Sequence, residues 1–313
     1  MHSARLLAFS SPLLGILAAI ALALAASPAS FADDTGDAAV SDGSEAPPDP
    51  EAGDDLTADE IYSRVLDNRF QTSAQELVLV SGDRVRREQT IRMQMLWKRY
   101  ESGPEVEKGI QSRTVVRYME PSEMRRTGYL IINKANLPSD QFVYLNSMRR
   151  IRRINLRGES VVGTDLSLED IVPREMDDAT YTRVPNEIVA GTPCFVIEAV
   201  PKPKAESDYS KFRLYIERDH YVPLRIRYWD RAEVEIKELM SPVDSIREFD
   251  GIYVPIRSTM RHLLDETYTN LRVDMLVANP ELPNRFFTQR QLEAKKLRLP
   301  SDVTKAAHRF EEG

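Results

Sequence analysis

Apolar and polar residues alternate along most of the chain from residue 90 onwards, which is the pattern of half-buried strands. In the segment TIRMQMLWKRY, one strand face would carry Ile91, Met93, Met95 and Trp97, and the other the basic and amide side chains. Ten further segments have strand character and are separated by turn signals: 113–119, 129–133, 141–145, 180–188, 194–200, 211–217, 222–230, 234–239, 253–264 and 268–277. Many consecutive strands with few helices predict an antiparallel sheet that must curl or close to protect its edges.

A helix is predicted just before the strands. Thr57 stands three residues before Glu60, which is the spacing of a capping box at a helix N-terminus. Ile61, Val65 and Leu66 would then form the buried stripe of this helix.

The first 32 residues have the order of a secretory signal peptide. One basic residue, Arg5, precedes an apolar run over residues 6–26, and Ser30 and Ala32 supply the small side chains of a cleavage site. The apolar run is nearly long enough to span a bilayer, so an uncleaved anchor is the alternative. We therefore expect export, with the bacterial periplasm as the localisation.

Residues 33–60 form an acidic zone with eleven Asp and Glu residues and no base. This composition buries too little apolar surface to offset the entropy of ordering, so we predict a disordered linker over 33–55, with an interaction tail as the alternative. The whole chain carries a net charge of −7, which leaves +3 on residues 61–313. Such near neutrality argues against a nucleic-acid partner. One folded domain is predicted over 56–300, followed by a C-terminal tail over 301–313.

Motifs of catalysis and metal binding are missing from the sequence, which has no G-x-S-x-G, H-E-x-x-H, C-x-x-C or Walker pattern. His220, His262 and His308 lie far apart in sequence, and nothing supports a metal site built on them. Cys194 is the only cysteine, so an intramolecular disulfide is impossible, and its apolar segment predicts a core position. We therefore expect no cofactor, no metal and no enzymatic activity; a hydrolase without a known motif is the less favoured alternative.

Three segments together resemble a known family. They are DQFVYL at 140–145, RRIRRI at 149–154 and GTDLSLED at 163–170. This series is similar to the signature of the LolA-like outer-membrane lipoprotein-sorting proteins, in the branch often associated with RND-type lipid exporters. Phe142 and Asn146 depart from that pattern, which has Trp and Pro there. Segments 219–223, 228–230 and 251–255 and the ending FFTQRQLE continue the resemblance over about 57–297.

The resemblance implies an α+β, mainly β fold: a curved antiparallel half-barrel with helices covering its concave face. It also implies a periplasmic carrier that binds a lipid or a lipoprotein's acyl chains without catalysis. Expected partners are therefore acyl chains, a membrane contacted transiently and an RND-type inner-membrane exporter. A protein-interaction or envelope-stress-sensing module on the same fold is the alternative.

An acyl carrier needs an apolar cavity with adaptable walls, and methionine is the most adaptable apolar side chain. Met93, Met95 and Trp97, on one face of one strand, fit this need. Ile131, Tyr144, Tyr228 and Met260 are candidate companions from other strands. Ordinary core packing is the alternative for each of these residues.

The segment 149–157 contains five arginines, at positions 149, 150, 152, 153 and 157. Its periodicity fits an amphipathic helix and a strand about equally well, and the family resemblance favours a strand paired with 142–145. In that strand Arg150 and Arg152 point to the inner side, either paired with acids of neighbouring strands or placed at a cavity mouth where they bind a lipid headgroup.

The segment GTDLSLEDIVP, which begins at Gly163, predicts a short helical turn that serves as a lid or crossover over the sheet. Asp165 is the expected cap of this turn, and Pro173 its expected end.

Overall fold

The computed structural model describes residues 55–85, 87–135, 137–154, 161, 163–171, 174–205, 207–294, 299 and 301–310. The predicted signal peptide, nearly all of the predicted acidic linker, Arg157 and Pro173 lie outside these residues. Within the described part, no helix is long and apolar enough to cross a membrane.

The predicted N-terminal helix is present as α1, Ala58–Asp67. Thr57 caps it through the predicted capping box, because the Glu60 amide donates to the Thr57 hydroxyl at 3.2 Å and the Thr57 amide donates to Glu60 at 2.8 Å. Ile61 and Leu66 are buried as expected, and Tyr62 joins them, whereas Val65 is only partly buried.

Strands dominate the rest of the described chain. They are β1 Thr72–Gly82, β2 Glu88–Arg99, β3 Ile110–Glu120, β4 Gly128–Lys134, β5 Leu137–Leu145, β6 Arg150–Ile154, β7 Ala179–Val189, β8 Thr192–Pro201, β9 Tyr209–Glu217, β10 Pro223–Asp230, β11 Glu235–Met240, β12 Ile246–Phe249, β13 Ile252–Pro255, β14 Arg257–His262, β15 Thr267–Ala278 and β16 His308–Arg309. The short helices are α2 Pro104–Glu107, α3 Leu168–Ile171, α4 Gln289–Glu293 and α5 Ser301–Lys305, with 3-10 turns at Met176–Asp178, Pro203–Ala205, Val243–Ser245 and Asn284–Phe287.

One antiparallel sheet holds all strands except β12 and β13, which pair with each other. Its order is β6-β5-β4-β3-β2-β1-β15-β14-β11-β10-β9-β8-β7, and β16 pairs with β15 beside this series. The chain therefore reaches one edge at β6 and resumes at the opposite edge with β7. We call the intervening residues 155–178 the crossover segment.

The ten predicted strand segments all coincide with strands, and the arginine-rich segment forms β6, paired with β5 as expected. The segment 253–264 is divided between β13 and β14 at Ile256, whose amide donates to the Ser245 carbonyl while its own carbonyl accepts from the Val273 amide. Strand β1 has no counterpart among the predicted strands. It lies between β2 and β15 with burial on both faces, so its sequence does not alternate.

The C-terminal residues also contribute to the domain. Val303 of α5 is buried, and β16 places His308 opposite Leu276 of β15. The paired part of the sheet therefore continues into the segment predicted as a tail.

Candidate functional site

The sheet has an apolar core on each face. We call one side the inner face: it is covered by α1, by part of the crossover segment and by the β12–β13 hairpin, and it carries the larger core. The opposite side is the outer face, on which the C-terminal segment from Leu282 to Val303 packs against β1 to β5 and β15. The inner face is thus the one that resembles the predicted covered cavity.

Six of the seven predicted cavity residues lie on the inner face: Met93, Met95, Trp97, Ile131, Tyr228 and Met260. Five of them are buried, at 4% exposure or less, and Met95 is partly buried against the same core. They are therefore packed against the cover in this structure, and whether they also line a ligand site stays a prediction.

Tyr144 does not belong to this set. It lies opposite Ile151 of β6 and packs with Leu130 in the outer core. Its neighbours Val143 and Leu145 face inward instead, because successive side chains of a strand point to opposite faces. Tyr144 therefore lies on the opposite face of the sheet from the other six predicted residues.

The crossover segment is attached to the middle of the sheet through Asp165. Its carboxylate accepts hydrogen bonds from the hydroxyls of Thr267 and Thr269 of β15, the latter at 2.9 Å. The Asp165 amide donates back to the Thr269 hydroxyl at 2.8 Å. Asp165 is therefore an anchor to the sheet rather than the predicted helix cap.

The cap of α3 is Ser167, whose hydroxyl accepts from the amide of Asp170 at 3.3 Å while the Ser167 amide donates to the Asp170 carboxylate at 2.8 Å. The other oxygen of Asp170 accepts from the Tyr209 hydroxyl at 2.8 Å. Lys237 of β11 approaches Asp170 at 3.4 Å and the Tyr209 oxygen at 3.3 Å. Burial, and then the charge of Asp170, raise the pKa of Tyr209, so this phenol stays protonated and donating.

A second anchor joins the crossover segment to the start of β9. The carboxylate of Glu169 accepts from the Ser207 hydroxyl and from the Asp208 amide, the latter at 3.2 Å, and pairs with Arg174 at 3.1 Å. The Arg174 guanidinium also lies 4.3 Å from the ring centroid of Phe212. Burial alone would lower the pKa of Arg174, but the charge of Glu169 raises it, so Arg174 remains a cation.

The two arginines predicted at a cavity mouth lie on the short edge strand β6. Arg150 is opposite Leu145 and Arg152 is opposite Val143, so both belong to the inner side of the sheet. Both are exposed, and neither has an ion pair with any residue that the structure describes. Arg153 points to the other side and pairs with Asp140.

The described residues contain no group of three His, Cys, Asp or Glu side chains that could hold a metal ion. Cys194 is fully buried, as predicted for a core residue, and burial raises the pKa of its thiol to about 12. His220 packs at a tilt against Tyr253, with 4.0 Å between the ring centroids, and its Nδ1 lies 3.3 Å from the Glu217 carboxylate.

Solved structures define the class of fold. A domain from Vibrio parahaemolyticus assigned as an outer membrane lipoprotein-sorting protein superposes with a TM-score of 0.67 at 19% identity, covering 76% of this chain and 98% of that one. A DUF1329 family protein from Desulfovibrio piger gives 0.67 at 22%, covering 75% and 98%. A LolA superfamily protein from Nitrosomonas europaea gives 0.61 at 19%, covering 75% and 99%. The chain thus has the LolA-like fold, a curved antiparallel half-barrel.

Family models give the sequence relationship. One model, described as an uncharacterized protein, matches residues 111–294, which is more than half of the chain, so the chain belongs to that family. A second, DUF1329, described as a protein of unknown function, matches residues 21–156. A search of the curated proteins finds no match.

Proposed function

We propose that the protein is a non-catalytic periplasmic carrier that binds a lipid, or the acyl chains of a lipoprotein, between the inner face and its cover. The large apolar inner face beneath α1, the crossover segment and the β12–β13 hairpin carries this proposal. The LolA-like fold supports it, and one of the similar structures is assigned to outer membrane lipoprotein sorting. The RND-type exporter stays a prediction without further support.

The arrangement suits an acyl ligand energetically. Each buried CH₂ contributes about 0.8 kcal/mol, so a long chain gains on the order of 10 kcal/mol when it leaves water. Because Met93, Trp97 and Met260 are buried beneath the cover, entry of a chain has to move the cover away from the sheet. The thioether side chains of Met93, Met95 and Met260 can then adjust to the shape of the ligand.

Arg150 and Arg152 would meet the polar end of such a ligand. They lie on the inner side of an edge strand, beside the apolar Val143 and Leu145, and their side chains reach solvent. A guanidinium can donate two hydrogen bonds to one phosphate or carboxylate.

The substitution Met95→Asp tests the carrier proposal. A carboxylate on the inner face would have to be desolvated against an acyl chain, so the Kd of a fluorescent fatty acid should rise about tenfold or more. Met240→Asp is the matched control, because Met240 is also half-buried but packs on the outer face of β11. Circular dichroism should show that both variants fold.

Equal probe binding by the protein and both variants would remove the inner face of β2 from the site. Lipid found by mass spectrometry in extracts of the purified protein would support the carrier directly. Extracts without lipid, together with no probe uptake, would favour the alternative of a protein-interaction module.

A further inference from the structure

We propose that one end of the sheet is a docking surface for a bilayer that contains anionic phospholipids, an inference that rests on the proposed carrier function. We call this surface the basic end. It comprises five exposed arginines on the loops and strand that close this end: Arg125, Arg126, Arg149, Arg150 and Arg152.

Strand register brings these residues together. Gly128, at the start of β4, lies opposite both Arg117 near the end of β3 and Tyr144 near the end of β5. Leu145, the last residue of β5, lies opposite Arg150, the first of β6. The loops 121–127 and 146–149 therefore emerge side by side at the same end of the sheet.

The basic end is not neutralised by the described residues around it. None of its five arginines forms an ion pair with a residue that the structure describes, although Arg125 donates to the Met119 carbonyl at 3.1 Å. Residues 141–154 contain no acid at all. Glu120, nearby, is paired with Arg92 at 3.3 Å, which leaves Glu123 as the acid of loop 121–127.

Exposed apolar side chains accompany the charge. Met148, in the loop between β5 and β6, is 49% exposed, and Met119, near the end of β3, is 37% exposed. Cations beside exposed apolar side chains are the combination that binds the interface of an anionic membrane, where the apolar group enters and the cation stays at the headgroups.

Two of the arginines occupy backbone positions that do not favour them. Arg126 has φ of 75° and Arg149 has φ of 50°, in the left-handed region where glycine or asparagine is usual. Both loops at this end thus carry a long cationic side chain at a strained position.

The acidic segment 33–60 of the same chain is the alternative occupant of this surface, and a membrane fits the surface better. That segment has charge complementarity but contributes few large apolar side chains to meet Met119 and Met148. The basic end is also continuous with the inner face, because Val143, Leu145 and Met124 pack into the inner core. A bilayer docked here would face the route along which an acyl chain leaves or enters.

Vesicle flotation tests the proposal with the purified protein. We expect binding to vesicles of phosphatidylcholine mixed with phosphatidylglycerol, and none to phosphatidylcholine alone. The triple variant Arg125→Gln, Arg126→Gln and Arg149→Gln, which leaves Arg150 and Arg152 in place, should bind about a hundredfold more weakly, since each arginine near an anionic surface contributes about fivefold. Binding should also weaken as salt rises, because such attraction is screened beyond about 8 Å at physiological ionic strength.

The control removes three other exposed arginines that lack an acidic partner among the described residues: Arg247→Gln, Arg261→Gln and Arg290→Gln. Retained vesicle binding in this control supports the basic end; a loss equal to that of the first variant means general charge attraction and overturns the proposal. Vesicle binding that is absent in the unmodified protein, or unaffected in the first variant, overturns it as well. The proposal is also overturned if the protein binds a peptide with sequence 33–60 tightly but does not bind vesicles.

The carrier function is tested separately in the same samples. Uptake of the fluorescent fatty acid from solution should persist in the first variant, because the inner core is untouched. Vesicle binding without any fatty-acid uptake would support the docking surface and refute the carrier function. Fatty-acid uptake without vesicle binding would support the carrier function and refute the docking surface.

Discussion

Arginines lie on both β10 and β6, but those of β10 have acidic partners, whereas Arg150 and Arg152 of β6 have none among the described residues. On β10, Arg225 donates from Nε to Glu238 at 2.7 Å, and Arg227 donates from Nε to Glu235 at 2.6 Å. The Arg227 guanidinium also lies 5.4 Å from the ring centroid of Trp229. The hydrogen bond with Glu235 raises the pKa of Arg227, because it favours the charged form of the guanidinium.

On β6 the strand is equally basic, but the facing residues are apolar. Arg150 and Arg152 lie opposite Leu145 and Val143, whereas Arg227 lies opposite Glu238. A run of alternating arginines therefore has two meanings, and the neighbouring strand decides which one applies. Paired arginines tie strands together, and unpaired arginines remain available to a partner outside the molecule.

The largest effect on stability is expected from Asp170→Asn, because the Asp170 carboxylate of the crossover segment pairs with Lys237 of β11. The Asp170 side chain is fully buried, and its loss of charge would leave the Lys237 ammonium, 11% exposed, without its counter-charge. Breaking a buried pair in this way costs about 3–5 kcal/mol. Chemical denaturation should therefore show a clear fall in the free energy of unfolding.

The substitution Arg152→Gln, on β6, provides the comparison with Asp170→Asn. Its side chain is exposed and unpaired with any described residue, so the free energy of unfolding should change by less than about 0.5 kcal/mol. If both substitutions destabilised the protein equally, the distinction between the two regions would not hold.

A double-mutant cycle on Arg227 and Glu235 should show a smaller effect. The pair has two hydrogen bonds from one guanidinium to one carboxylate, but both side chains retain some exposure, at 28% and 20%. The expected coupling energy is about 1 kcal/mol, the upper end of the range for exposed pairs. A coupling near zero would mean that the ion pairs of β10 and β11 contribute no more to stability than the free arginines of β6.

The sequence predicted those features that depend on local pattern. Alternation predicted most of the strands but not β1, and the Thr57 and Glu60 spacing predicted the start of α1. For β6 the family resemblance, not periodicity, favoured a strand, which placed Arg150 and Arg152 together on one side. Alternation cannot say which elements cover each of two apolar faces, and for this reason it did not separate Tyr144, on the outer face, from the six residues on the inner face.

The anchors of the crossover segment show a second limit. Ser167 and Asp170 have the spacing of a capping box, so the cap of α3 could have been predicted in place of Asp165. The pairing of Asp170 with Lys237, by contrast, joins residues 67 positions apart and leaves no local pattern. Only the strand order, which brings β9 and β11 beneath the crossover segment, places these groups together.

An effect on stability of opposite sign is expected from Arg149→Gly. A non-glycine residue in the left-handed region costs about 1–2 kcal/mol, and glycine relieves that cost while adding about 0.5–1 kcal/mol of chain entropy to the unfolded state. The free energy of unfolding should therefore stay constant or rise by up to about 1 kcal/mol, measured by thermal and chemical denaturation. Vesicle binding should fall in the same variant. If the Arg149→Gly variant is stable and still binds vesicles tightly, the Arg149 side chain does not contribute to membrane binding. If the variant is less stable, the Arg149 side chain contributes to the stability of the fold.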